Sequence, residues 1–327
     1  MNFKKYLPAA FGILLLIICF YDYDLGKVRI ILQGINYYIL IPVIVFEVIN
    51  LYIRAQRLRV ILNPIRRIGS GSIFSYYSIG SLANIALPAL SGQVVRTILF
   101  SRKFKITKTS FATGTILEVL FDGICIFVMM VAISFIVKLP AWLIQWKLWV
   151  GISVLGVAFI FLLILLNQHF IAKISRRFES KLPQKISGRI SASYNSFTNA
   201  LAMLKSYRHL TAVSFLSLLS WAIGGVIIYL MFMAFGFNMG PWAAYLLVAV
   251  NSIAILIVVT PGNVGTFNLA CALGLSLFGV DKTEAISFSV LLYVVNFLPI
   301  VFAGLLFTFR EGVSLSGLKG NATVRGH

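Results

Sequence analysis

The chain has 327 residues, of which 60% are hydrophobic and 11% charged, and its mean hydropathy is +0.95. This composition excludes a soluble globular protein and predicts an all-α polytopic membrane protein. The formal net charge of +19 would suggest nucleic-acid binding in a soluble chain. In a membrane protein it indicates basic cytoplasmic loops beside anionic lipid headgroups, so no nucleic-acid partner is expected.

Two membrane spans are predicted at the start of the chain, at residues 7–20 and 35–53. No small-x-small cleavage site follows the first span, so an uncleaved helix is favoured over a signal peptide. The second span is followed by a basic cluster, and the positive-inside rule places that cluster, and with it the N-terminus, in the cytoplasm. The cluster comprises Arg54, Arg57, Arg59, Arg66 and Arg67.

A broken segment at residues 72–100 is predicted next. The helical apolar pattern runs to Ala86 and resumes near Val94, and Pro88 and Gly92 interrupt it. Proline removes a backbone donor and glycine tolerates a tight turn, so we expect two half-helices that meet at a polar elbow inside the membrane.

The polar side chains of this elbow are candidates for a headgroup site. Asn84, Ser91 and Gln93 are neutral hydrogen-bonding groups, which either line a pocket or satisfy freed backbone groups. Arg96 offers a fork to a phosphate or a carboxylate. The alternative is that Arg96 extends to the cytoplasmic interface.

Full spans are predicted at 111–137 and 148–166. Glu118 and Asp122 lie four residues apart on one helix face, and carboxylates inside a span are functional candidates because they are costly there. They could share a proton, or serve only as structural partners of Arg96. The polar stretch 168–208 is basic with helical apolar periodicity, which is typical of helices in the headgroup layer; ordinary positive-inside retention explains it as well.

The last third of the chain contains spans at 210–235 and 285–309, with Asp281 as the expected N-cap of the latter. Between them, the apolar segment 242–278 is interrupted by Pro261, Gly262 and Gly265. The interruption exposes amides that favour an anion, although a tight turn requires the same glycines.

We therefore predict about six full transmembrane helices and two broken, re-entrant segments that enter from opposite sides, as in an inverted repeat. A rival count treats the halves of segment 242–278 as two short full spans. Residues 1–312 are expected to form one membrane domain, and 313–327 a flexible cytoplasmic tail.

Single polar residues on apolar helices are given structural roles. Glu47, Asn50 and Arg54 form a polar stripe that we interpret as an internal pair, and Asn251, Asn268 and Asn296 as contacts between helices. No nucleophile, phosphate-loop or metal-binding signature is present. The sequence therefore predicts no catalytic residues, no metal and no cofactor.

The interrupted segments carry a resemblance to a known family. The chain is similar to the membrane region of lysylphosphatidylglycerol synthases, a group of flippase-like proteins that often lack the synthase domain. The family pattern is Asn-x-x-Leu-Pro-x-(Arg)-x-Gly-Glu-x-x-Arg, then Glu and Asp four apart, then Pro-Gly-x-x-Gly-x-x-Glu. Here these positions are Asn84, Leu87, Pro88, Gly92, Gln93 and Arg96, then Glu118 and Asp122, then Pro261, Gly262, Gly265 and Asn268. Three charges of the pattern are missing, at Leu90, Gln93 and Asn268.

The resemblance implies a translocase that moves an anionic phospholipid, a glycolipid or a polyprenyl-phosphate-type lipid across the bacterial inner membrane. Its partners would be anionic membrane lipids, with a homo-oligomer or an envelope-biosynthesis partner left open. The alternative is a non-transporting accessory subunit of envelope lipid or glycan synthesis. An enzyme is not expected, although a membrane transferase is not excluded.

Overall fold

The computed structural model describes residues 14–17, 20–21, 23–86, 91–166, 197, 201, 206–257 and 260–313. The predicted first span, most of the basic stretch 168–208 and the tail beyond residue 313 lie largely outside these ranges. The described part is built from helices: α1 (Leu25–Gly34), α2 (Leu40–Leu62), α3 (Ser70–Ala86), α4 (Ser91–Phe104), α5 (Lys108–Ile136), α6 (Ala141–Leu166), α7 (Tyr207–Ala234), α8 (Pro241–Ile257), α9 (Thr266–Ser276) and α10 (Lys282–Arg310).

Five segments in the described residues are long and apolar enough to cross a membrane, and the predicted fold class is confirmed. They are Tyr37–Leu62, Lys108–Ile136, Ala141–Ile160, Tyr207–Ala234 and Lys282–Arg310. Helix α9 has 11 residues, which corresponds to about 16 Å at 1.5 Å per residue. Since the hydrocarbon core is about 30 Å thick, α9 is too short to be a full span, which argues against the rival count.

The first broken segment is a pair of helices, α3 and α4, that pack against each other. Gly92 allows their close approach, because a Cβ atom at this position would lie 2.5 Å from the Asn84 Cα atom. Pro88 and its neighbours at 87–90 lie outside the described residues. The two half-helices of the prediction are present, and α4 continues past the predicted end to Phe104.

The second broken segment consists of α8, a short 3-10 turn at Pro261–Asn263 and α9. Gly262 and Gly265 have φ values of +62° and +82°, a region that residues with a Cβ atom rarely adopt. Asn268 stabilises the turn, since its Oδ1 accepts a hydrogen bond from the Gly265 amide at 3.3 Å. Its Nδ2 donates to Ser289 on α10 at 2.9 Å, so the predicted helix-to-helix role of Asn268 is confirmed.

The helices form two units of the same order, each a long helix, a broken hairpin and a second long helix. The units are α2–α5 and α7–α10. The first helices run antiparallel, because the Asn36 amide donates to the Ala234 carbonyl at one end and Asn63 contacts His209 at the other. The predicted inverted arrangement is therefore visible in the contacts.

Each unit also covers the hairpin of the other. Phe307 of α10 packs on Phe74 of α3 with ring centroids 5.4 Å apart, while α5 and α8 share one apolar cluster. The two elbows meet, because a Cβ atom at Gly262 would lie 3.5 Å from the Ile85 carbonyl oxygen.

One end of the molecule is strongly basic. Helices α2, α4 and α10 finish there and α3, α5 and α7 begin there, as the ion pair between Lys103 and Glu311 at 3.3 Å illustrates. Glu311 is the acidic residue that the described chain places at this end, against a much larger basic set: Arg59, Arg66, Arg67, Arg102, Lys103, Lys105, Lys108, Arg208 and Arg310. We call this the basic end.

The predicted end of the second span is wrong. Helix α2 continues to Leu62, so Arg54, Arg57 and Arg59 lie within the helix rather than in a cytoplasmic loop. The prediction stopped at the first charge, whereas the buried Arg57 is compensated by carboxylates of α5. The structure also shows helix α1 between the first two predicted spans, with Asp24 accepting a hydrogen bond from the Gly26 amide at 2.9 Å.

Substitution of Gly92 by Ala is expected to destabilise the protein by about 1–3 kcal/mol, because the new methyl group overlaps backbone atoms of α3. The control is Gly156→Ala, where nothing lies within 4 Å of the new atom. Thermal unfolding of both variants in detergent measures the difference. Equal stability of the two variants would contradict the close packing of α3 on α4.

Candidate functional site

Arg57 forms a bidentate ion pair with Asp122 in the interior of the helix bundle. Its Nη1 and Nη2 donate to Asp122 Oδ1 at 2.5 Å and Oδ2 at 3.1 Å. Nη1 also donates to the Ser217 hydroxyl at 3.2 Å, and the Trp221 indole N–H donates to Asp122 Oδ1 at 2.9 Å. Side chains of the neighbouring helices α5 and α7 therefore bind the positive charge of Arg57, which lies on α2.

Arg96 forms the second pair of this cluster. Its Nη2 lies 3.1 Å from Glu118 Oε2, and its guanidinium carbon lies 4.6 Å from the centroid of the Tyr77 ring. Arg57 Nη2 lies 3.7 Å from Glu118 Oε1 and so joins the two pairs. We call Arg57, Arg96, Glu118 and Asp122 the ion network.

The ion network is neutral and mostly enclosed. Arg57, Arg96 and Glu118 are buried, whereas the Asp122 side chain is 33% exposed. Buried charges are tolerated when they are paired and hydrogen-bonded. The two arginines and two carboxylates are paired with no net formal charge, but Arg57 Nε, Arg96 Nε and Glu118 Oε1 have no hydrogen-bond partner among the described residues. The network connects α2, α4, α5 and α7.

A cavity of about 280 Å³ lies beside the network. Tyr77 and Trp221 line the cavity and also contact the ion network, so the two features share a wall. Both hairpins contribute to the lining, α3 through Tyr77 and Ser81, and the second hairpin through Asn251, Ser252 and Asn263. Helices α2, α7, α9 and α10 complete it.

The polar lining of the cavity includes groups that a ligand can reach. Exposed Arg54 donates from Nε to the Ser220 hydroxyl at 3.2 Å, and that hydroxyl donates to Asn50 Oδ1 at 2.6 Å. Asn296 Oδ1 is buried and has no hydrogen-bond partner among the described residues. Glu47 lies two helical turns before Arg54, about 10 Å along the axis.

The structure brings three predicted site residues together, namely Arg96, Glu118 and Asp122. The alternative in which Arg96 extends to the interface is wrong, because its side chain is buried against Tyr77 and Glu118. Gln93 is exposed and does not join the network. Pro88 and the Ser91 side chain lie outside the described residues.

The remaining predicted residues form and pack the elbows. Asn84 packs on Gly92 within the first hairpin. Pro261, Gly262 and Gly265 form the second turn, in which the Gly262 carbonyl accepts a hydrogen bond from the Tyr293 hydroxyl at 2.8 Å.

Sequence reasoning missed Arg57 and the cavity wall formed by Glu47, Asn50 and Arg54. These four residues recur at intervals of three or four along α2, which places them on one inward face. That periodicity was the available signal, but it does not identify the carboxylates or the other helices that face it. The described residues contain no group of three or more His, Cys, Asp or Glu side chains suited to a metal ion.

Comparison with known families matches residues 6–304 to the model described as lysylphosphatidylglycerol synthase TM region. The chain belongs to this family. As a member of the lysylphosphatidylglycerol synthase transmembrane family, it is a multi-pass membrane protein involved in a lipid-related process. Comparisons with curated proteins and with solved structures gave no match.

Replacement of Arg57 by Met is expected to destabilise the protein by about 3 kcal/mol, because it leaves Asp122 without its cation. The double variant Arg57→Met/Asp122→Asn removes both charges and keeps an acceptor for the Trp221 N–H. It should be more stable than the single variant in detergent unfolding experiments. A double variant that is less stable than the single one would show that Asp122 does not depend on Arg57.

Proposed function

We propose that the protein is a lipid translocase that moves a phosphate-bearing or glycosylated lipid between the leaflets of the bacterial inner membrane. One observation carries this proposal: a cavity that contains polar side chains and is lined by both broken hairpins lies within a bundle of apolar membrane helices. Broken helices that meet from opposite sides around a polar site are typical of proteins that alternate access across a membrane.

The cavity supplies the chemistry that a lipid headgroup requires. Arg54 is exposed and offers charge-assisted hydrogen bonds to a phosphate oxygen. Asn263 and Asn296 offer neutral hydrogen bonds to hydroxyl or amide groups. The headgroup would occupy the cavity while the acyl chains stay in the surrounding lipid.

The ion network has a supporting role in this proposal. Its four charges are engaged with one another, so Arg96 does not bind the headgroup directly. The ion network fixes α2 and α4 against α5 and α7. Through its contacts with Tyr77 and Trp221, the network also shapes one wall of the cavity. The second hairpin would then move relative to this fixed junction during transport.

The charge distribution supports an orientation. Basic residues accumulate on the cytoplasmic side of membrane proteins, so we assign the basic end to the cytoplasm. Helix α10 finishes at this end, so we propose a cytoplasmic side for the C-terminal tail. The N-terminus is assigned to the same side by its predicted span.

A non-transporting accessory subunit is the second candidate. The observation that favours it is the closed ion network, which leaves none of its own four charges free for a substrate and suits a structural polar core. In that case the cavity would have no role in transfer, and a stoichiometric envelope-biosynthesis partner would be present.

Leaflet transfer in proteoliposomes tests the two candidates. Arg54→Ala should lower the transfer rate of a fluorescent phospholipid about tenfold, since one charge-assisted hydrogen bond is lost. The matched control is Arg66→Ala, which removes an exposed charge after α2 and should transfer lipid at the wild-type rate.

Thermal unfolding of each variant verifies that it is folded. Transfer by the wild type that is unchanged in Arg54→Ala would refute the role of the cavity. No transfer by the wild type, together with a co-purifying partner, would favour the accessory subunit.

A further inference from the structure

A second pocket lies at the basic end, separate from the central cavity. It is about 490 Å³ in volume, within the range of small-molecule sites. Its polar lining comes from the end of α2, the segment that follows it and the start of α7. We call it the basic pocket; its lining residues are Arg59, Asn63, Arg67, Arg208 and His209, with apolar Val60, Ile68 and Ala212.

Among the described residues, no carboxylate compensates the charge of this pocket. Three guanidinium groups line it and no carboxylate does. The carboxylates of α5 are bound to Arg57 and Arg96, and Glu311 pairs with Lys103. Like charges held close together repel one another, so a bound anion would stabilise this arrangement.

Arg59 is held in position to donate into the pocket. Its Nε donates to the Ile68 carbonyl at 2.8 Å and its Nη1 to Gln56 Oε1 at 3.2 Å. Its Nη2 makes no hydrogen bond to a residue in the described ranges. A guanidinium that is already oriented loses less side-chain entropy when it binds a ligand.

The start of α7 adds donors beside these cations. Its N-cap residue Ser206 makes no side-chain capping bond, and the N-terminus of a helix favours anions through its free amides and its dipole. His209 contacts Asn63 at 3.4 Å, and its buried Nδ1 has no partner among the described residues.

We propose that the basic pocket binds the phosphodiester of an anionic phospholipid in the cytoplasmic leaflet. The pocket lies at the ends of two membrane-spanning helices, which is the level of the lipid headgroups. Its apolar wall of Val60, Ile68 and Ala212 suits the glycerol and upper acyl region of the same lipid. This site is distinct from the transport cavity, and the proposal does not depend on translocation.

Native mass spectrometry of the full-length protein tests the proposal. Wild-type protein should retain phosphatidylglycerol in preference to phosphatidylcholine. The double variant Arg59→Gln/Arg208→Gln should reduce retention of phosphatidylglycerol about a hundredfold, because two charge-assisted hydrogen bonds are lost.

The control is Arg66→Gln/Arg102→Gln, which removes the same charge from exposed positions at the same end, outside the pocket. It should retain phosphatidylglycerol as the wild type does. An equal loss in both double variants would overturn the proposal in favour of diffuse attraction. If the first double variant does not fold, the single substitution of exposed Arg67 by Gln should still reduce retention relative to Arg66→Gln, and an equal result would overturn the site.

Inorganic phosphate distinguishes a free anion from a lipid. If phosphate alone raises the melting temperature of the wild type as much as phosphatidylglycerol does, the assignment to a lipid is overturned. A rise with phosphatidylglycerol alone, absent from Arg59→Gln/Arg208→Gln, supports it.

Discussion

Pairing of charge within a low-dielectric interior is the constraint on which this structure depends. Arg57 and Arg96 come from different helices, but both partners, Glu118 and Asp122, lie one turn apart on α5. Helix α5 therefore positions α2 and α4 through the same face. Ser217 and Trp221 extend this junction to α7 through hydrogen bonds with Arg57 and Asp122. Four helices therefore meet at one cluster of paired charges.

The second constraint is that the interrupted helices must pack closely and pair the backbone groups that lose their helical hydrogen bonds. The two elbows meet this constraint in different ways. The first hairpin uses the small size of Gly92 to bring its helices together. The second uses glycines with positive φ, and Asn268 binds the freed Gly265 amide. The turn of the second hairpin lies against the end of α3 at Ile85. The central cavity is lined by residues of both hairpins.

Local chemistry explains what the sequence predicted well. Gly92, Pro261 and Gly262 act on their own backbone, so both interruptions could be located without a structure. The extent of α2 could not be predicted from the sequence, because Arg57 is stabilised by Asp122, which lies 65 residues away. A hydropathy pattern carries no information about such a partner.

The polar stripe of α2 shows the same limit. Its inward face was evident, but the cavity beside it depends on α7, α8 and α10. Asn268 is a further case: it was noted for a missing charge, and its side-chain oxygen accepts a hydrogen bond from the Gly265 backbone amide.

The crossed packing of the two units has a consequence for biogenesis. Phe74 of the first unit gains its ring contact only when Phe307 of α10 has been synthesised. Asp122 likewise gains its hydrogen bond from Trp221 only when α7 has been synthesised. During synthesis the first unit therefore enters the bilayer with an incomplete polar junction and an uncovered hairpin. The first unit therefore reaches its final packing only after α7 and α10, which follow it in the chain, have been inserted beside it.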